Sequence, residues 1–262
     1  MITLDFKGKT AIITGAGSGF GRAAARMLAQ CGARIVGVDR NAQSLAETMA
    51  ALADTGTDPI SIVKDLRPAH AANEVIAQAM ACLPRLDILV NSAGVCHFTP
   101  ANKITPEQWD EVLEIDLKAL YFMAVAAADA MDPQHGGRIV NIGSNAGRKG
   151  RAFSAHYAAA KAGVANVTES LALAYGKKGV TVNTVCPAVV LTDMWERNFE
   201  ELGKITGKSA DKLVRGWTAA TPLQRLGTVE DVANLITFLA SDRAGFITAQ
   251  EINVCGGFML TC

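Results

Sequence analysis

The chain carries no excess charge: 25 Lys and Arg against 25 Asp and Glu leave a formal net charge of +0 over 262 residues. Such a balance offers no field to draw in nucleic acid or an anionic membrane, and neither is expected as a partner. Histidine is scarce, with 4 residues, and the 6 cysteines (Cys31, Cys82, Cys96, Cys186, Cys255, Cys262) form no CxxC pair. They give no zinc-like spacing, so no metal is expected, and they read as reduced, mostly buried thiols. A long apolar run is also missing. The chain reaches a strand-like segment by Thr10 without a signal-type stretch, and its most apolar helical segment, Leu117–Met131, is interrupted by Lys118 and Asp129. That segment is too short to span a bilayer, and the expected setting is the cytoplasm.

What is present is apolar: 50% of the residues are hydrophobic and 19% charged. That content excludes a disordered chain and can fill the core of one large α/β domain. β-branched or aliphatic runs at 10–14, 34–38, 59–63, 86–90, 138–142, 180–185 and 251–254 alternate with helical patterns, among them Ala42–Ala53. Strand–helix alternation at this pace predicts a Rossmann-type, doubly wound parallel sheet of seven strands with helices on both faces. No linker or repeat interrupts it, so residues 1–262 read as a single domain with a cap inserted at about 192–220. Helices over about 106–131 and 153–175 hold more apolar residues than one buried stripe needs. A subunit interface of a homotetramer is expected there.

The first strand, Thr10–Thr14, runs into Gly15-Ala-Gly-Ser18-Gly19-Phe20-Gly21 and then an Ala-rich helix. Glycines let a backbone approach a phosphate closely, and free N–H groups at a helix start favour its charge. Asp39 ends the second strand, where a carboxylate accepts hydrogen bonds from adenosine ribose hydroxyls and repels a 2′-phosphate. NAD is therefore expected over NADP, although Arg40 adjoins Asp39. Asp65 and Leu66 follow the third strand, with Asp65 placed to meet an adenine amino group. Asn91-Ser-Ala93-Gly94 follows the fourth, small enough to admit a cofactor. Tyr157 and Lys161 are four apart on one helix, hence on one face, and Ser144 ends the strand before it.

Together these residues resemble the short-chain dehydrogenase/reductase family over nearly the whole length. The markers are Thr14-Gly15-x-x-x-Gly19-x-Gly21, Asp65, Asn91-Ser-Ala-Gly94, Ser144, Tyr157-x-x-x-Lys161, and Pro187 followed by Thr192. The resemblance implies hydride transfer between a nicotinamide and an alcohol or carbonyl. Tyr157 would be the general acid/base, Lys161 would lower its pKa and hold the nicotinamide ribose, and Ser144 would hold the substrate oxygen. Thr192 and the backbone of Val190, after Pro187, would bind the carboxamide. Two positions depart from the family pattern: Asp116 stands where an asparagine is usual, and Ala188 follows Pro187 where glycine is usual. Asp116 is expected to keep the asparagine's place in the catalytic set through its backbone carbonyl and a bound water, with activity surviving.

The segment 193–221 and the ending Ile252–Gly257 are similar to those of bacterial polyol dehydrogenases of the sorbitol and xylitol type. That likeness implies a polyol, sugar alcohol or diol as the small-molecule substrate. Asn145, Cys96 and Trp195 are the candidate substrate contacts, with His97 and His156 behind them. Arg148, Lys149 and Arg151 form a basic loop, read as solvated surface. Its alternative use is to hold the phosphate of a sugar phosphate or an acyl carrier protein, as a sugar-phosphate dehydrogenase or a 3-oxoacyl reductase would require. A cofactor-binding sensor with idle chemistry is the non-enzymatic alternative, raised by Asp116 alone.

Overall fold

The computed structural model describes residues 4–259. Seven strands form one sheet in the order β3-β2-β1-β4-β5-β6-β7, every neighbouring pair parallel. They are β1 (Thr10–Thr14), β2 (Arg34–Asp39), β3 (Ile60–Val63), β4 (Ile88–Asn91), β5 (Gly137–Ile142), β6 (Val180–Pro187) and β7 (Glu251–Val254). The chain builds outward from β1 to β3 and then returns to lay β4 beside β1. That reversal leaves a crevice at the carboxyl ends of β1 and β4, the place where such sheets take ligands.

Between the strands run α1 (Gly19–Gln30), α2 (Ala42–Ala50), α3 (Ala71–Met80), α4 (Pro106–Leu113), α5 (Leu120–Ala130), α6 (Ala155–Tyr175), α7 (Asp193–Thr206), α8 (Ala210–Ala220) and α9 (Val229–Ala240). Strand pleating sorts the core into two layers. Ala11 and Ile13 of β1 face one layer with Leu28 of α1 and Ile236 of α9. Ile12, between them, faces the other with Val75 of α3, Met123 of α5 and Leu171 of α6. Covered on both faces, the strands need no polar side, which is why they read as continuous apolar runs.

Three elements differ from their sequence patterns. The helix expected over Ala42–Ala53 ends at Ala50, and the chain turns through Gly56 at φ +72°. The helix expected to start near Phe153 starts at Ala155, after Ser154 at φ −156°. The third difference bears on function. The helix expected from Pro106 to Met131 is not continuous, because Glu114–Ala119 is a π-helical turn between α4 and α5. A wide turn of this kind re-aims side chains, and Asp116 lies within it. Beyond Thr192 the stretch read as a cap folds into α7 and α8, joined through Gly207 at φ +67°. Among the described residues no helix is long and apolar enough to cross a membrane.

Candidate active site

The carboxyl ends of β1, β2, β4 and β5 open onto a cavity of about 680 Å³, bounded on the far side by α7 and α8. Its wall is closest-knit at the switch point. Gly15 sits at φ +66°, and a Cβ there would lie 2.9 Å from the Ala93 backbone, so the β1 and β4 loops touch. Thr14 Oγ1 ties them by accepting from the Ser92 and Ala93 amides at 3.0 and 3.1 Å. Ser18 precedes α1 without capping it, and the first turn of α1 holds no acid. The amides at that helix start are thus left to whatever enters the cavity. Gly19 (φ +48°) is open on that side, the nearest atom to a built Cβ being Thr192 Cγ2 at 3.8 Å.

Asp39 fixes the second wall. One carboxylate oxygen accepts from Gly17 N and the other from Asn41 N, both at 2.9 Å. These bonds hold a carboxylate beside the glycine loop. An uncapped helix start and an open glycine fit the pyrophosphate of a dinucleotide. Ser18, Gly19, Phe20, Leu66, Ala93 and Gly94 also line this part of the cavity. Asp65 does so while clasped by Arg67, whose guanidinium holds its carboxyl below the usual range.

Tyr157 and Lys161 project from α6 into the middle of the cavity, opposite Ser144 at the end of β5. Lys161 is 4% exposed, and its Nζ donates to the Ile142 carbonyl at 2.9 Å. The same Nζ stands 5.6 Å from the centre of the Tyr157 ring. Asp116, 1% exposed, reaches the same ammonium with Oδ1 at 2.9 Å and accepts from Val95 N with Oδ2 at 2.9 Å. Gly94 makes room for this: a Cβ on it would come within 2.8 Å of Asp116 Oδ1.

The sequence pattern assigned Asp116 a backbone role; the structure gives its side chain one. Burial raises the Asp116 pKa, against the pull of Lys161. Tyr157 is pushed well above its ordinary value by burial first, with Cys96 and the Asp116 carboxylate adding to the rise and the Ser144 hydroxyl opposing it. The expectation that Lys161 would depress Tyr157 is therefore not met by the protein alone, because burial of the phenol dominates. The resting tyrosine is protonated. Cys96, also on the wall, is half-buried, and burial pushes its thiol well above the ordinary range.

Several sequence candidates lie elsewhere. Asn91 does not line the cavity. Its amide donates to Asn141 Oδ1 at 3.0 Å and the Leu120 carbonyl at 3.3 Å, inside a buried polar row that continues to Thr168. Gly21 packs α1 onto its own loop, where a Cβ would overlap Gly15 O at 2.2 Å. The Val190 side chain is 0% exposed in the core, a placement that does not bear on the backbone role expected of it, while Pro187, Ala188, Val189 and Thr192 line the cavity beside it. His156 is fully buried away from the cavity, and burial lowers its pKa.

The substrate end holds Asn145, Cys96, His97 and Trp195 from the sequence reading, and several residues it missed. Trp195 stacks among Phe98, Phe199 and Trp217 with ring centres 5.2–6.0 Å apart. Only the i,i+4 spacing of Trp195 and Phe199 hinted at this, and such spacing marks any apolar helix face. The basic loop divides. Arg148 pairs with Glu251 at 3.2 Å, Lys149 is exposed, and Arg151 turns onto the cavity wall.

A doubly wound sheet with a nucleotide-type cradle and a Ser–Tyr–Lys set on one cavity defines a class of dinucleotide-dependent oxidoreductase. Residues 9–203 match the family model described as short chain dehydrogenase. The chain belongs to the short-chain dehydrogenase/reductase family. It is 34% identical over 264 residues to the 3-oxoacyl-[acyl-carrier-protein] reductase FabG of Escherichia coli strain K12, covering 98% of this chain and 100% of that one. The corresponding protein of Rickettsia felis is 36% identical over 257 residues, covering 98% and 99%. Among solved structures, levodione reductase superposes with a TM-score of 0.91 at 29% identity, over 96% of this chain and 98% of the other. The named relatives are thus ketoreductases rather than polyol dehydrogenases.

Proposed function

We propose that this protein interconverts a secondary alcohol and its ketone using NAD(H), with Tyr157 as the acid/base. The carrying observation is that Ser144, Tyr157 and Lys161 share one cavity with the uncapped start of α1 and with Asp39. A bound nicotinamide supplies the hydride donor or acceptor. Tyr157, protonated at rest, gives its proton to the carbonyl oxygen in reduction and takes it back in oxidation. Ser144 donates a hydrogen bond to the same oxygen and stabilises its developing charge. Lys161, anchored on the Ile142 carbonyl and Asp116, keeps a third N–H for the cofactor ribose. Pro187 and Thr192 border the place for the carboxamide.

Asp39 is the support for NAD over NADP, through charge and the bonds that immobilise it. Within the class of secondary alcohols, the cap segment's likeness supports a polyol or diol. The names of the ketoreductase relatives support a second reading, reduction of a 3-oxoacyl group. The apolar faces at Tyr121, Phe122 and Leu173, the last 84% exposed, support a homo-oligomer through α5 and α6. The test is NADH and NADPH turnover against secondary alcohols, polyols, diols and ketones. Tight NADH binding without turnover of any of them would sink the enzymatic reading and leave a sensor. A preference for NADPH would sink the role given to Asp39.

A further inference from the structure

Among the described residues, Arg151 is a charge without a counter-ion. Its Nη2 reaches only Asn145, at 3.4 Å from the carbonyl oxygen and 3.3 Å from the side-chain oxygen. Both contacts are long and both acceptors are neutral. No carboxylate lies within ion-pair distance of it among the described side chains, whereas its loop neighbour Arg148 has Glu251. The guanidinium is half-buried, and burial pulls its pKa down. A half-buried cation in that setting gains from the arrival of an anionic partner.

Its place says what the partner is. Arg151 lies on the cavity wall, bonded to the residue next to Ser144, on the same cavity as Tyr157. The glycine loop with its helix start, which serves a pyrophosphate, belongs to the β1 side of the cavity. The acids of the substrate end are engaged on other elements, with His97 standing 3.3 Å from Glu111 and 3.9 Å from Glu201. The rings of Phe98, Trp195 and Trp217 line the same cavity.

We infer that the substrate carries a carboxylate, held by Arg151 within a few bonds of the reacting carbinol, and an apolar body that lies on the rings of the cap. The substrate pair is then a hydroxy acid and its oxo acid. This rests on the proposed interconversion of a secondary alcohol and its ketone, and it puts a hydroxy acid in that site in place of a polyol or diol. A guanidinium grips a planar carboxylate through two parallel hydrogen bonds, which fixes the carbinol's orientation under Ser144 and Tyr157.

The test separates binding from turnover. Protein saturated with NADH is titrated calorimetrically with phenylpropanoate, which cannot react, and with its neutral amide. The carboxylate should bind at least about tenfold more tightly. Arg151→Met should abolish that preference, and Lys149→Met, which removes an exposed charge of the same loop, should keep it. Arg151→Gln repeats the test if the methionine variant does not fold. A β-oxo acid and its methyl ester, assayed with NADH, should show the same preference in kcat/KM and lose it in the same variants. Equal binding of acid and amide, or a preference that survives loss of Arg151, overturns the inference. A tenfold preference for phenylpropyl phosphate over the carboxylate overturns the assignment to a carboxylate. Carboxylate binding without turnover would leave Arg151's role standing and sink the reaction. Turnover of neutral ketones with no carboxylate preference would do the reverse.

Discussion

The two ends of the cavity are made of different material. The cofactor end is built from strand termini and short loops, where Gly15, Asp39 and Ala93 are held by backbone hydrogen bonds and close packing. The substrate end is built from side chains of α7, α8 and two loops, where Trp195, Trp217 and Phe98 meet ring to ring. The first is rigid because the sheet is rigid. The second can be rebuilt by changing side chains while the sheet stays as it is. A division of labour follows: substitutions at one end should alter cofactor binding, and at the other substrate choice.

The largest effect belongs at the seam. Tyr157→Phe should lower kcat/KM by at least about 1,000-fold, the loss expected when a general acid/base is removed. NADH affinity, read by fluorescence titration, should survive, and a loss of both together would mean that the two ends are not separable there. Next, Asp39→Ala should shift the ratio of NAD to NADP efficiency by about 10- to 100-fold toward NADP, because it removes a like charge from the 2′ position. An unchanged ratio would remove Asp39 from cofactor choice. Trp217→Ala should raise KM for the substrate about tenfold with NADH affinity intact, as for an aromatic anchor of a pocket. A change in NADH affinity instead would break the division.

The smallest effect in rate is the most informative about the proton. The Asp116 carboxylate contributes to the raised pKa of Tyr157. Taking the charge away in Asp116→Asn lowers that pKa, so the basic form of Tyr157 appears at lower pH. The limb of the pH profile for alcohol oxidation that rises with pH should therefore move to lower pH, with turnover changing by less than about tenfold. A limb that stays in place or moves to higher pH would uncouple Asp116 from Tyr157.

The same contrast explains what could be read from the sequence. The sheet and the glycine cradle were legible because local rules dictate them: buried runs, a Gly-rich turn before a helix, an acid ending the second strand. Tyr157 and Lys161 were legible from helical spacing and the motif around them. The direction of Asn91 was not, because a motif position does not say which way a side chain turns. Its amide bonds across to Asn141 instead of lining the cavity. The Asp116–Lys161 pair was hidden because it depends on a π-helical turn and on the space left by Gly94, a contact between segments far apart in the chain. Arg148 and Arg151 look alike in a basic loop, and only the fold gives one a carboxylate and the other a cavity wall.

Hydride transfer between the two ends can be followed by isotope transfer. Reduced cofactor deuterated at the transferring carbon is incubated with a panel of oxo acids and neutral ketones, and the products are analysed by mass spectrometry and NMR. One deuterium is expected at the carbinol carbon of the product, formed by the native protein and not by Tyr157→Phe. Tight NADH binding with no deuterium in any product, or equal transfer by Tyr157→Phe, would contradict that transfer.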